Sequence, residues 1–474
     1  MGRLWKEYDL LGWASARGAL LAAALFIPSP APAAFDAPGS WEVPQETDYR
    51  VENHSRFTAP WRLFHSLLSQ DAEQKMFSDA ENRLPPEFSV PRGLEPQVRF
   101  WLSIYTRYSS HEAVIFDEDH PDVVYDVLDF RELARISRNR AAFEIVSRKI
   151  LKDRFSAYER AFDGLKLGRR ARARSPEAQR ILQARSLISH QHSFSEAKRS
   201  LRVQWGQRDQ VMEGLLSSSA YLQRMEGIFT QMEIPPELVL LSLVESSFHW
   251  AAVSHAGATG VWQFMPETGA EFMLVQTNGD IDERLSPIKS TVAAGKLLKR
   301  NFRLLGNWPL AISAYNHGHT KWARLKPSQW HMVPSILSQC SRSKPLVKLG
   351  FASRNYYAEF LALMRAYRYQ EIAYGLLPEG RLQSVRFVLN RRPSTLRELS
   401  ALHAVPEAEL RRLNPDIKVT ASAIPAGYWL SVPSSRDDFV GLIESRRRIV
   451  RAAPVKAQQR VRVAEDLRKT IPRG

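Results

Sequence analysis

The 474-residue chain contains a single cysteine, Cys340, so it cannot form an internal disulfide. It also has few long apolar runs, and beyond the N-terminus none approaches the roughly 20 residues that a membrane-spanning helix needs. A disulfide-stapled fold and a bundle of membrane-spanning helices are therefore excluded. Hydrophobic residues still make up 44% of the chain and aromatic residues 10%, enough to bury a sizeable core. At this length we expect roughly two or three domains.

The first 34 residues have the pattern of a secretory signal peptide. Arg3, Lys6 and Arg17 precede an apolar stretch, GALLAAALFI, and a small-residue segment, PSPAPAA. We expect cleavage near Ala33 or Ala34 and export to the periplasm or cell envelope. The alternative is a membrane anchor, but an apolar stretch of about ten residues is too short to span a bilayer.

Positive charge is in excess, with a formal net charge of +16. Such an excess indicates an acidic partner or surface. For an exported protein we expect an anionic cell-wall polymer or the membrane surface of the envelope, and no nucleic acid. The alternative is that the basic residues are solvated helix faces and a flexible tail.

The pattern of apolar residues predicts a mainly α protein in consecutive parts. These are a signal peptide (1–34), a mostly helical N-terminal region with a short hairpin (35–224), a helical central unit (225–375), a small βααβ module (380–435) and a basic, flexible tail (436–474).

The hairpin is predicted from AVIFDEDHPDVVYDVLDF at 113–130, where two short strands flank an acidic turn. A calcium site is the alternative interpretation of these acidic residues. Their spacing matches no calcium-binding loop, and we therefore expect a solvated turn.

The central unit contains one acid in a distinctive context, VESSFHWAAVSHAGATGVWQFMPETG at 244–269. Glu245 falls at the C-terminal end of a predicted helix that opens at Ile234-Pro235-Pro236. Burial and the negative end of the helix dipole both disfavour the charged form, so we expect a raised pKa. A carboxyl protonated near neutral pH suits the general acid of glycosidic bond cleavage. The alternative is a glutamate that is bound by backbone or solvent at the helix end.

Four segments in order resemble the lytic transglycosylases, in particular the membrane-bound type D branch with its SLT catalytic domain. They are Glu245-Ser246-Ser247-Phe248, the segment from Ser254 to Gly269, Ala314-Tyr315-Asn316-His317-Gly318, and Arg354-Asn355-Tyr356-Tyr357. The resemblance covers about 140 residues. It implies a lysozyme-like helical fold that cleaves the β-1,4 bond between N-acetylmuramic acid and N-acetylglucosamine in peptidoglycan.

The resemblance also implies roles for individual residues, with Glu245 as the catalytic acid and base. We expect no cofactor and no metal ion. The positions that match cleft or substrate-contacting residues of the family are Ser246, Gln263, Met265, Tyr315, Asn316 and Tyr356.

A single acid is sufficient for the reaction that the resemblance implies. Glycosidases that use water normally need a second carboxylate, as nucleophile or base. In a lytic transglycosylase the 6-hydroxyl of the substrate attacks instead and forms a 1,6-anhydro ring. Two alternatives stay open: a hydrolytic muramidase of goose type, which would place a second acid across the cleft, and a non-catalytic peptidoglycan-binding scaffold.

The module near 384–433 is similar to a LysM domain, which binds glycans that contain N-acetylglucosamine. Strands are predicted at 385–389 and 427–433 and helices at 395–404 and 406–414. Arg392-Pro393-Ser394-Thr395 stands where the usual Gly-Asp-Thr turn is expected. An unrelated βααβ fragment is the alternative. The expected partner of the whole protein is the peptidoglycan glycan strand.

Overall fold

A computed structural model describes residues 68–167, 175–186, 193–276, 279–320, 322, 325, 328–329, 333–338, 349–421 and 423–445. The predicted signal peptide, Cys340 and most of the basic tail lie outside the described residues. Over the described part the chain is mainly helical, with two small sheets, and the predicted mainly α, lysozyme-like fold class is confirmed.

The N-terminal region is built from eight described helices and three strands. Polar side chains begin several of these helices: Ser69 caps the first, Asn139 caps the longest, and Ser193 forms a reciprocal capping box with Glu196. The helices are α1 (Gln70–Ser78), α2 (Glu95–Thr106), α3 (Arg131–Ile136), α4 (Arg140–Lys166), α5 (Pro176–Ser186), α6 (Phe194–Arg199), α7 (Arg208–Ser218) and α8 (Leu222–Gln231), with a 3-10 turn at Pro86–Phe88.

The strands of this region form one antiparallel sheet. The predicted hairpin is confirmed as β1 (Glu112–Asp117) and β2 (His120–Asp129). A third strand, β3 (Leu201–Trp205), pairs with the other edge of β1 and gives the order β2-β1-β3. Strand β3 was not predicted from the sequence, because its five residues lie between helices and only their pairing with β1 distinguishes them from a loop.

The acidic turn of the hairpin is buried, so the expectation of a solvated turn is wrong. The Asp117 carboxylate accepts a hydrogen bond from the Tyr125 hydroxyl at 3.1 Å, and the Asp119 carboxylate accepts one from the Ser200 hydroxyl at 2.6 Å. A guanidinium nitrogen of Arg354 lies 3.6 Å from Asp119. The hairpin therefore packs against the central unit through charged groups.

The central unit is helical around an irregular segment that contains Glu245. Its elements are a 3-10 turn (Pro236–Leu240), α9 (Leu241–Ser246), α10 (Pro266–Gly269), a second 3-10 turn (Glu283–Leu285), α11 (Pro287–Leu305), α12 (Trp308–His317), α13 (Val333–Ser338), α14 (Phe351–Arg368) and α15 (Gln370–Ala373).

Helix α14 lies at the centre of this unit, with most of its residues buried. Helix α2 of the N-terminal region packs along it, and the Trp101 indole N–H donates to the Asn355 side-chain oxygen at 3.0 Å. Helix α12 is followed by Gly318, whose φ of +83° is a backbone conformation that favours glycine. The N-terminal region and the central unit thus share one large core.

The C-terminal part has the predicted βααβ order. Its elements are β4 (Val385–Leu389), α16 (Leu396–His403), α17 (Glu407–Leu413) and β5 (Trp429–Pro433), followed by α18 (Val440–Glu444). Strands β4 and β5 pair antiparallel, and Thr395 begins α16 in a capping box with Glu398. This part has a small core of its own, which includes Leu410 and Tyr428.

The βααβ module is joined to the central unit by backbone and charge contacts. The backbone N–H of Asp282 donates to the Asp416 carbonyl, and that of Lys418 donates to the Asp280 carbonyl, both at 2.9 Å. Between them, the buried Lys289 ammonium lies 2.7 Å from the Asp416 carboxylate. The module is therefore packed against the central unit. Separately, none of the described helices is both long and apolar enough to cross a membrane.

Candidate active site

Glu245 is the penultimate residue of α9, at a point where the chain turns sharply. Ser247 and Phe248, which follow the helix, both have positive φ angles, +48° and +59°. Phe248 is buried and anchors the turn, whereas Glu245 is only partly buried. The local fold thus leaves a helix-terminal carboxyl beside the core with part of its surface accessible.

Tyr356, from α14, contacts this carboxyl directly. Its hydroxyl donates to Glu245 Oε1 at 2.5 Å. Burial raises the pKa of Glu245 to about 8, and the hydrogen bond from Tyr356 opposes part of this rise. The expected raised pKa therefore has burial as its main physical cause, and Glu245 is protonated at neutral pH.

The segment after α9 is held by a buried ion pair that the sequence analysis did not identify. Arg284 binds the Asp282 carboxylate through two nitrogens, at 2.9 and 2.7 Å, and donates to the carbonyls of Gly257 and Phe264 at 2.9 and 3.0 Å. Gly260 lies in the same segment with φ of +80°, and a Cβ there would be 1.9 Å from the Arg284 carbonyl oxygen. Only glycine fits this close approach.

Tyr315 is brought next to Glu245 from α12. Its hydroxyl donates to the Trp262 carbonyl at 2.9 Å, and the Trp262 indole donates to the Thr291 hydroxyl at 2.9 Å. Burial raises the pKa of both Tyr315 and Tyr356 well above the usual value of a phenol. The charge of Glu245 raises the pKa of each phenol further. The structure therefore brings the predicted acid and both predicted tyrosines together.

Ser246 and Gln263 are interior residues that bind the backbone. The Ser246 hydroxyl donates to the Val261 carbonyl at 3.1 Å, and the Gln263 amide donates to the Gly260 carbonyl at 2.9 Å. Both residues are less than 5% exposed. They fix the segment around Glu245, and contact between either side chain and substrate stays a prediction.

Met265 and Asn316 lie beside this segment. Met265 is partly buried and precedes α10. Asn316 is buried, and its side-chain oxygen accepts a hydrogen bond from the Ser353 hydroxyl at 3.2 Å. Asn316 therefore connects α12 to α14, and its contact with substrate also stays a prediction.

A second buried acid, Glu359, lies on the same helix as Tyr356 and was not predicted from the sequence. It follows Tyr356 by three residues on α14, so both side chains are on one side of the helix. Burial, and next the charge of Glu245, raise the pKa of Glu359 to about 8. Helical spacing from Tyr356 was the one signal that could have identified it.

Across the described residues, no group of three or more histidine, cysteine, aspartate or glutamate side chains is placed to hold a metal ion. The chemistry of the site is that of a protonated carboxyl with a tyrosine donor. On a mainly α, lysozyme-like scaffold, this arrangement defines the class of acid-catalysed glycan-cleaving sites.

Comparison with known proteins leads to the same class. Residues 229–330 match the family model of the transglycosylase SLT domain. Over 104 residues the chain is 38% identical to the membrane-bound lytic murein transglycosylase D of Escherichia coli K12, and also to that of Escherichia coli O6:H1. Each alignment covers 22% of this chain and 23% of the relative, so the match spans about a quarter of the relatives' length.

Proposed function

We propose that this protein is a peptidoglycan lytic transglycosylase. It cleaves the β-1,4 bond between N-acetylmuramic acid and N-acetylglucosamine and leaves a 1,6-anhydro-muramic acid end. The observation that carries the proposal is the carboxyl of Glu245, a partly buried residue: burial raises its pKa to about 8, and it accepts a 2.5 Å hydrogen bond from Tyr356. The match to the SLT domain supports the reaction, and the name of the E. coli relatives supports murein as substrate.

In the proposed reaction Glu245 acts first as acid and then as base. Its proton passes to the glycosidic oxygen as the bond from that oxygen to the anomeric carbon breaks. The 6-hydroxyl oxygen of the muramic acid then forms a bond to the anomeric carbon, and its proton passes to the Glu245 carboxylate. The attack is intramolecular, so much of its entropic cost is already met within the sugar. Water is not consumed and Glu245 ends protonated.

The position of Glu359 favours this reaction over hydrolysis. A hydrolase of goose type would need a second carboxylate that reaches water near the anomeric carbon. Glu359 is 2% exposed and follows Tyr356 by three residues on α14. A carboxyl buried in this way does not reach a water molecule at the substrate, whereas Glu245 is only partly buried.

The remaining parts of the chain are assigned within the same proposal. The segment at 1–34 would export the protein, and the N-terminal region would support the catalytic domain at 225–375. The module at 380–435, with its βααβ order, would act as a LysM-like glycan-binding unit. The protein would then act in the periplasm or cell envelope.

The first prediction tests the role of Glu245. Purified protein is expected to digest peptidoglycan sacculi to fragments that end in 1,6-anhydro-muramic acid, identified by mass spectrometry. Glu245→Gln removes the transferable proton and should lower the rate by about 10³-fold or more. Glu267→Gln is the matched control, because Glu267 is exposed in the same segment and should leave the rate unchanged.

Two outcomes would contradict the proposal. Fragments that end in reducing muramic acid would identify a hydrolase. Binding to sacculi without any soluble product, in a protein that is folded by circular dichroism, would identify a non-catalytic scaffold.

A further inference from the structure

Glu359 is a buried acid with almost no polar compensation. One carboxyl oxygen, Oε2, lies 3.4 Å from the Tyr105 hydroxyl of α2, a long hydrogen bond. The other, Oε1, has no hydrogen-bond partner among the described residues. Burying a carboxyl in this way lowers the free energy of unfolding, and an apolar side chain of similar volume would be at least as stable. Its presence therefore points to a role other than stability.

Among the described residues, the groups that act on Glu359 or on its neighbour Tyr356 come from four helices and include no cation. Helix α2 contributes Tyr105, α9 contributes Glu245, and α14 itself contributes Tyr356. Helix α12 contributes Tyr315, which acts on Tyr356. Each of these groups is either neutral or negative at neutral pH, and among them only the long hydrogen bond from Tyr105 favours a charged Glu359 carboxylate.

The cations of α14 contact other groups. Arg354 lies 3.6 Å from the Asp119 carboxylate, and Arg365 donates to the carbonyl of Phe77 in α1 at 3.1 Å. Arg368 donates to Glu237, in the 3-10 turn before α9, at 3.0 Å. Helix α13 contains no titratable side chain over Val333–Ser338. Glu359 therefore shares its pocket with one other acid, Glu245, and with the tyrosines.

Tyr356 interacts with both acids. Its hydroxyl donates to Glu245, and the charges of both Glu245 and Glu359 act on its phenol. The phenol has a single proton to donate, and that proton is directed at Glu245. When both carboxyls are ionised, one of the two negative charges is therefore left without a donor of comparable strength.

We propose that Glu359 is a positioning residue for the proposed transglycosylase reaction. Glu359 forms a coupled pair with Glu245 across Tyr356, so that the pocket holds one negative charge at a time. Two like charges in a buried pocket repel strongly, and the second proton of such a pair is lost at higher pH than the first. When Glu359 is ionised, its negative charge keeps Glu245 protonated. A neutral Glu359 leaves the Glu245 carboxylate as the one charge that Tyr356 stabilises during the reaction.

The second prediction concerns the pH dependence of activity. Glu359→Gln keeps the size of the side chain and removes its ability to ionise. The basic limb of the pH profile of kcat/KM should move to lower pH by about 0.5–1 unit, with a plateau rate within about threefold of the unmodified protein. Glu237→Gln is the control, because Glu237 is also buried but pairs with Arg368. A basic limb that coincides with that of the unmodified protein would overturn the proposal.

A second measurement does not depend on how Glu359→Gln folds or on catalysis. In protein labelled with ¹³C at the glutamate carboxyl, we expect two signals that titrate well above the usual glutamate range. Glu245→Gln should remove one signal and move the other to lower pH, because the like charge is gone. A remaining signal that titrates unchanged would contradict the pairing. The titration is measured without substrate, so it tests the pairing of the two acids alone. Absence of anhydro products at every pH would contradict the proposed function but not this pairing.

Discussion

At the scale of single residues, the hydrogen bond between Tyr356 and Glu245 has to serve two protonation states. It stabilises the carboxylate more than the acid, because a hydrogen bond to a charged acceptor is stronger. The hydrogen bond accordingly lowers the pKa of Glu245. Burial raises this pKa, and the effect of burial is the larger of the two. The balance keeps the acid protonated at neutral pH and still provides a donor for the carboxylate that forms after proton transfer.

The third prediction follows from this balance. Tyr356→Phe removes the hydroxyl and keeps the ring, so the Glu245 carboxylate loses its donor. A hydrogen bond to a charged group contributes about 1.5–3 kcal/mol, so kcat should fall roughly 10–100-fold. The pKa of Glu245 should also rise, and the basic limb of the pH profile should move to higher pH, opposite to the shift expected for Glu359→Gln.

Tyr357→Phe is the matched control for this variant. Tyr357 is the adjacent residue and is equally buried, but Tyr356 is the one that donates to Glu245. If Tyr357→Phe lowered kcat as much as Tyr356→Phe, the loss would have to be assigned to packing of α14.

A site residue could be predicted from the sequence when the residues that surround it in the fold are also close to it in the chain. Glu245 was identifiable because its helix end and the glycine-rich segment after it are contiguous in the chain. Glu359 was not, because what makes it unusual is the arrival of Tyr105 and Glu245 from two other helices. The structural roles of Ser246 and Gln263 were likewise hidden, since their acceptors are backbone carbonyls set by the fold.

At the scale of elements, α14 connects the candidate site to the N-terminal region. Two residues before Tyr356, Arg354 points a guanidinium toward the buried Asp119 of the hairpin, and α2 packs along the same helix. The sequence predicted the hairpin strands from their alternating apolar residues. It did not predict that the acidic turn faces a buried arginine, because burial of a turn depends on what packs over it.

The fourth prediction tests this contact. Asp119→Asn removes the charge that faces Arg354 and weakens the acceptor of the Ser200 hydroxyl, while the side chain keeps its size. The free energy of unfolding should fall by about 1–3 kcal/mol, measured by urea denaturation. We also expect a lower kcat, because a less firmly held α14 misplaces Tyr356 relative to Glu245.

Asp122→Asn provides the comparison in the same hairpin. Asp122 is exposed, so its substitution should change the free energy of unfolding by less than about 0.5 kcal/mol. Equal effects of the two substitutions would show that the Asp119 contact does not hold α14.

At the scale of the whole molecule, the βααβ module and the central unit are joined by a buried charge. Lys289, near the start of α11, lies 2.7 Å from the Asp416 carboxylate and 3.8 Å from Glu283, and its ammonium also stacks 3.7 Å from the centre of the Tyr428 ring. The sequence predicted the module's own elements correctly. It did not predict this junction, because the residues that meet are 127 positions apart.

The fifth prediction is that this junction contributes to the stability of both parts. Lys289→Met keeps the length of the side chain but leaves Glu283 and Asp416 buried without their cation. Breaking one partner of a buried ion pair typically lowers the free energy of unfolding by about 3–5 kcal/mol, and the module and the central unit should then unfold in separate steps. Lys299→Met is the control on the same helix, since Lys299 pairs at the surface with the exposed Glu233 and should change stability by less than about 1 kcal/mol. A single cooperative transition for Lys289→Met, at unchanged denaturant midpoint, would show that the two parts are held together by their backbone and apolar contacts instead.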